Sequence, residues 1–167
     1  KLSLSMDEAR LSVSYNGQKQ QMPEAEILDI SESLKNKYTI SYNYTEPETK
    51  ARVTDTKAPS FKDAGVYSVS VNVVSANKLV ELKGDNVTED VYKNYEFEVT
   101  PREVKITSDS YTREYDGTEL VSHNAAVGTE EDRTIISADG IHLDIQYSGS
   151  QKVVGSSDNV FYINKPN

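Results

Sequence analysis

The sequence predicts an all-β protein: two tandem immunoglobulin-like β-sandwich modules, at 1–100 and 101–167, in an elongated arrangement. Three observations predict it. Apolar and polar residues alternate over several segments, the period of strands with one buried and one wet face. Tyr (11 residues) accompanies many Val, Ser and Thr residues, which suits pleated, half-buried surfaces. One turn device is used twice, as Tyr15-Asn16-Gly17 and as Tyr115-Asp116-Gly117. Asn-Gly and Asp-Gly turn a chain readily, because Gly takes positive φ cheaply and Asn or Asp tolerates it.

The elements follow in order. Leu4 and Met6 open the first unit with a short apolar strand, and Leu11, Val13 and Tyr15 alternate up to the first turn. Pro23–Lys37 is the one place for a helical turn, although Ala25, Ile27 and Leu28 fit a short strand equally well. A helix of two or three turns there would favour the alternative, β-grasp-like modules. Tyr38, Ile40, Tyr42 and Tyr44 form the next strand; Gly65 then turns the chain into Tyr67, Val69, Val71 and Val73. Ala76–Tyr92 reads as an excursion before Tyr95, Phe97 and Val99. Thr100-Pro101-Arg102 is the boundary, a connection short enough to make the pair semi-rigid.

The second unit repeats the order. Val104 and Ile106 match Leu4 and Met6; Leu143, Ile145 and Tyr147 match Ile40, Tyr42 and Tyr44; Gly155 with Val160-Phe161 matches Gly65 with Val66-Tyr67. His123–Ala138 is expected to be a loop, and no strand equivalent to Tyr95–Val99 follows. Tyr115 is expected to pack inward against Val153–Phe161, with Gly117 at positive φ.

Composition bounds the chemistry. A net charge of −9 and a pI near 4.7 argue against nucleic acid or anionic lipid as partner, since both select for basic patches. Without Cys there is no disulfide, thiolate nucleophile or thiolate metal site. No apolar run is long enough for a membrane span, and no signal peptide is present. Strand-like sequence near both ends reads as a fragment, so targeting or anchoring signals could lie outside it.

Catalytic machinery is not expected, and neither is a cofactor or metal. His123 and His142 are the two histidines, and neither has a nucleophile or an orienting acid at a useful spacing. The acidic groups follow no EF-hand order, and solvated carboxylates are the plain reading. Lys105 and Asn159 fall on predicted strands, where a self-formed isopeptide bond would need a buried lysine. The stripe Tyr38, Tyr42 and Tyr44 reads as core rather than as a sugar platform. Asn43-Tyr-Thr45 and Asn86-Val-Thr88 read as chance matches to the glycosylation pattern.

The stretch Val104-Lys-Ile106, Glu114-Tyr-Asp-Gly-Thr118 and Tyr147-Ser-Gly-Ser-Gln151 through Val154-Gly-Ser-Ser157 to Asn159-Val-Phe161 resembles the YDG or MBG-type repeats. These occur in tandem in bacterial surface proteins. The resemblance covers most of 101–167; the first unit is similar only through Tyr15-Asn-Gly17, Ala64-Gly-Val-Tyr67 and Asn94-Tyr95. It implies an extracellular, cell-surface or cell-wall location and a non-catalytic stalk or spacer presenting distal adhesive domains. Its partners would then be neighbouring modules of the same chain. The alternative is an adhesin module that recognises a host glycan or extracellular matrix protein through loops such as Ala76–Tyr92 or His123–Ala138. Tyr15, Asn16, Gly17, Tyr115, Asp116, Gly117 and Gly155 are read as structural turn residues.

Overall fold

The computed structural model describes residues 3–28, 30–75 and 92–164, and it is mostly β. The chain divides into two compact units, Lys1–Arg102 and Glu103–Asn167. The expected excursion Ala76–Tyr92 lies outside the described residues except for Tyr92.

The first unit contains β1 (Ser3–Ser5), β2 (Ser12–Ser14), β3 (Gln20–Gln21), β4 (Glu26–Leu28), β5 (Tyr38–Thr45), β6 (Arg52–Asp55), β7 (Ser60–Phe61), β8 (Gly65–Ser75) and β9 (Tyr92–Thr100). Five of them form one sheet in the order β2-β9-β8-β5-β6. All its pairings are antiparallel except β2 with β9, which is parallel. Two antiparallel ribbons, β1 with β4 and β3 with β7, complete the unit.

The register explains the alternation. Tyr42 stands opposite Val71, Tyr67 opposite Phe97, Val69 opposite Tyr95, and Val13 opposite Val99. Period two therefore places every one of these side chains on one face. β1 and β7 supply Leu4 and Phe61 to the same buried cluster, and the link between β3 and β4 supplies Met22 and Ala25. Phe61 stacks on Tyr67 with ring centres 4.0 Å apart and meets Tyr44 edge-on at 5.7 Å. Burying each large apolar side chain contributes about 1.5–3 kcal/mol. The predicted Tyr stripe is thus core: Tyr42 is buried, Tyr38 and Tyr44 pack against it, and the Ala25 amide donates to the Tyr42 hydroxyl at 2.8 Å. That burial raises the pKa of Tyr42. The opposite face is wet, where Ser70 and Tyr92 both donate to Asn94 Oδ1 at 2.6 and 2.9 Å.

Tyr95 is 7% exposed, and its hydroxyl has no hydrogen-bond partner among the described residues. A desolvated hydroxyl left unpaired is a cost, so Tyr95→Phe is expected to stabilise the unit by about 1 kcal/mol. Urea unfolding followed by circular dichroism checks this; a destabilised variant would mean that the hydroxyl is satisfied.

Pro23–Lys37 contains β4 and one 3-10 turn (Lys35–Lys37), and its described residues form no α-helix. The β-branched and acidic residues around Ile27 gave no helical stripe, and pairing with β1 resolved the ambiguity toward a strand.

The second unit has β10 (Ile106–Ser108), β11 (Leu120–Val121), β12 (Ala125–Val127), α1 (Glu130–Ala138), β13 (Asp144–Tyr147), β14 (Ser150–Gln151) and β15 (Phe161–Asn164). Its sheets are three antiparallel ribbons, β10 with β12, β11 with β14 and β13 with β15, and none is closed. These ribbons follow the chain order of β1 with β4, β3 with β7 and β5 with β8. The repeat is therefore topological as well as sequential. Among the described residues of this unit, counterparts of β2, β6 and β9 are absent.

Two expectations are corrected here. His123–Ala138 is not a loop: it holds β12 and then α1. Thr129 and Asp132 form a reciprocal capping box, with the Thr129 amide donating to Asp132 Oδ2 at 2.7 Å and the Asp132 amide donating to Thr129 Oγ1 at 3.2 Å. Three acidic residues in the first turn also favour the positive helix end. The strand expected to include Leu143 begins only at Asp144, and His142 lies exposed before it.

Candidate functional site

The two Tyr-Asx-Gly turns share one local geometry. Asn16 Oδ1 accepts from the Gln18 amide at 2.9 Å and also from the Gln20 side chain. Asp116 Oδ1 accepts from the Thr118 amide at 2.8 Å and from the Thr118 hydroxyl at 2.6 Å. Each is a side-chain turn reaching two residues on, and the following glycine carries it: Gly17 has φ +81° and Gly117 φ +83°. The Thr118 hydroxyl and amide, with Arg113 beside them, hold the Asp116 carboxyl below its usual pKa. Arg113 Nη2 is engaged there, reaching Asp116 Oδ1, Thr118 Oγ1 and the carbonyls of Thr118 and Glu119 at 2.7–3.3 Å.

The tyrosines before the turns part company. Tyr15 is half-buried, packs against the core, and its amide donates to the Thr100 carbonyl of β9 at 2.9 Å. Tyr115 is 63% exposed. The expectation that it packs inward against Val153–Phe161 is therefore wrong. It borders a shallow groove with Val153, Val154 and Gly155, and both valines are exposed as well. The physical reason is a missing neighbour. In the first unit β2 is held by β9; in the second, residues 109–116 form no regular structure and have no such strand beside them among the described residues. A segment with no strand alongside gives its aromatic little to pack on.

Beside this segment lies a cavity of about 600 Å³. One wall is Ser108–Arg113 and the other is Gly149–Gln151 with Gly155–Asn159. Asn159 bridges the walls, its Nδ2 donating to the Asp109 carbonyl at 3.1 Å. Its Oδ1 is buried and without a partner among the described residues. Gly149 sets the second wall: a Cβ there would stand 2.7 Å from the Asp158 carbonyl oxygen, so only glycine lets these backbones meet. Gly155 has φ +151° and sits in the same wall.

The other candidate residues do not converge. His123 is exposed and stacks on Tyr147 with ring centres 5.5 Å apart, a partner that the sequence did not suggest. Lys105 is exposed and precedes β10, and Asn159 precedes β15; neither lies on the strand expected for it. An isopeptide bond needs a buried lysine, and Lys105 does not supply one. No group of three or more His, Asp or Glu residues able to hold a metal occurs among the described residues. No described helix is long and apolar enough to cross a membrane. Neither a family model, nor a curated protein, nor a solved structure matches this chain.

Proposed function

We propose that the chain is a non-catalytic stalk or spacer segment of a bacterial surface protein, built from YDG/MBG-type modules and located outside the cell or in its wall. One observation carries this reading: the two units repeat three ribbon pairings in the same chain order. Repetition of a small β unit extends a chain by a fixed increment, which suits a spacer. In the first unit the five-stranded sheet with its parallel edge, covered by two ribbons, supports an immunoglobulin-like sandwich over a β-grasp. The second unit is then a reduced version of that sandwich.

The segment His123–Ala138, expected as a loop that recognises a glycan or matrix protein, favours the spacer. Its helix presents Glu130, Glu131, Arg133 and Thr134 to solvent, and no aromatic residue lies in it. Force spectroscopy on the chain between two marker domains tests the proposal. The first unit should give its own unfolding peak, releasing roughly 350 Å for about 100 residues. Featureless extension at low force would mean that the chain bears no load and would overturn the spacer reading.

A further inference from the structure

The turn at Asn16-Gly17 holds a nucleophile, an electrophile and two hydrogen-bond donors in one place. We infer that Asn16 is a self-modification site: the Gly17 nitrogen attacks the Asn16 side-chain amide, and the residue ends as aspartate or isoaspartate. This concerns the first unit alone and does not rest on the spacer reading.

The reaction is intramolecular. The Gly17 amide loses its proton to hydroxide, and its nitrogen bonds to Asn16 Cγ. The Cγ–Nδ2 bond then breaks, Nδ2 takes up a proton and leaves as ammonia, and a cyclic succinimide remains. Water opens the ring. Attack at the side-chain carbonyl gives aspartate; attack at the main-chain carbonyl routes the backbone through the side chain and gives isoaspartate. Water is the only co-reactant.

Four observations place the reaction here. Asn16 is the one asparagine in the sequence that glycine follows, so no Cβ crowds the attacking nitrogen. Among the described residues, the Gly17 amide donates no hydrogen bond that attack would have to break. The Gln18 amide donates to Asn16 Oδ1 at 2.9 Å, a turn that folds the carboxamide back over the Gly17 peptide and so aligns it. Attack at Cγ puts negative charge on Oδ1, and the Gln18 amide and the Gln20 side-chain amide both already donate to that atom. They form a two-donor oxyanion site in place before the charge develops. Asn16 is also exposed, which gives hydroxide and water access.

The neighbouring asparagines lack this arrangement. Asn43 and Asn94 lie within β5 and β9, and a tyrosine follows each. Their Oδ1 atoms accept from the hydroxyls of Thr54, Ser70 and Tyr92, and no backbone amide donates to them among the described residues. The second unit shows that the aspartate product fits. Asp116 stands at the matching position, its Oδ1 accepts from the Thr118 amide, and Gly117 at φ +83° repeats Gly17 at +81°. Conversion to aspartate therefore gives the first turn the charge that the second already carries.

The test incubates the intact chain at neutral pH and maps its peptides by mass spectrometry, following the amide-to-acid mass gain at residue 16. Isoaspartyl methyltransferase labels the isoaspartate product. Asn16 should convert before any other asparagine, at least as fast in the chain as in a peptide of residues 11–21. The rate should rise with pH, because the attacking nitrogen must lose its proton. Gln20→Ala should slow the chain by about tenfold, the worth of one hydrogen bond to a developing charge, and Gln20→Glu should slow it further. Neither substitution should alter the rate in the peptide, where the turn is not held. Slower conversion in the chain than in the peptide would overturn the inference. So would earlier conversion at another asparagine, or Gln20 variants that leave the chain's rate unchanged or slow chain and peptide alike.

Discussion

Phe97→Ala is expected to destabilise the first unit by about 3–5 kcal/mol, the range for truncating a buried aromatic. Phe97 is fully buried on the central strand pair, opposite Tyr67 and within 6.0 Å of the Phe61 ring. Its removal leaves a cavity bounded by the five-stranded sheet on one side and β7 on the other. The sheet cannot collapse into that space without breaking the ladder from β8 to β9, so relaxation recovers little. Urea denaturation with circular dichroism and exchange of β8 and β9 amides measures the loss. A change below 1 kcal/mol would show that the two layers are not packed through Phe97. The second unit, which shares none of this core, should keep its own exchange pattern.

Gly128→Ala should cost the second unit roughly 2–3 kcal/mol, combining about 1–2 kcal/mol for a left-handed residue with about 1 kcal/mol for a damaged helix cap. Gly128 has φ +42°, and a Cβ on it would overlap the Asp132 carboxylate and stand 2.8 Å from Asp132 Cβ. That carboxylate accepts from the Thr129 amide and hydroxyl, so moving it opens the capping box. Asp132 and Ile135 are the buried residues among those described in this unit, and both belong to α1. Loss of the cap therefore weakens the helix and the unit's small core together. Helical signals at 130–138 and the unit's melting temperature provide the readout. If the variant keeps both, the cap does not hold α1. Thr129→Ala removes only the hydroxyl and should cost less, since the turn at Gly128 survives.

The alternating runs were legible because period two is local. Tyr38–Tyr44, Tyr67–Val73 and Tyr95–Val99 became β5, β8 and β9, with the apolar sets on one face. The turns were legible for the same reason: Asx-Gly chemistry needs only its own four residues. The helix α1 was missed although Thr129-Glu-Glu-Asp132 carries a capping signal, because Ile135 and Ile136 are its only large apolar residues and give no stripe. The cavity could not be read from the sequence at all. Its walls meet through Asn159 and Asp109, 50 residues apart in the chain, and no local pattern encodes that approach.

Tyr15 and Tyr115 mark the division. The sequence alone determined that the chain is mostly β, that one Tyr-Asx-Gly turn serves twice, and that the chain divides near residue 101. These depend on side-chain period and on the cheap positive φ of glycine, which act within a few residues. Only the tertiary structure decided that Tyr15 is packed and Tyr115 exposed. Burial requires a surface to bury against, and β9 supplies it in the first unit; among the described residues of the second, no strand takes that place.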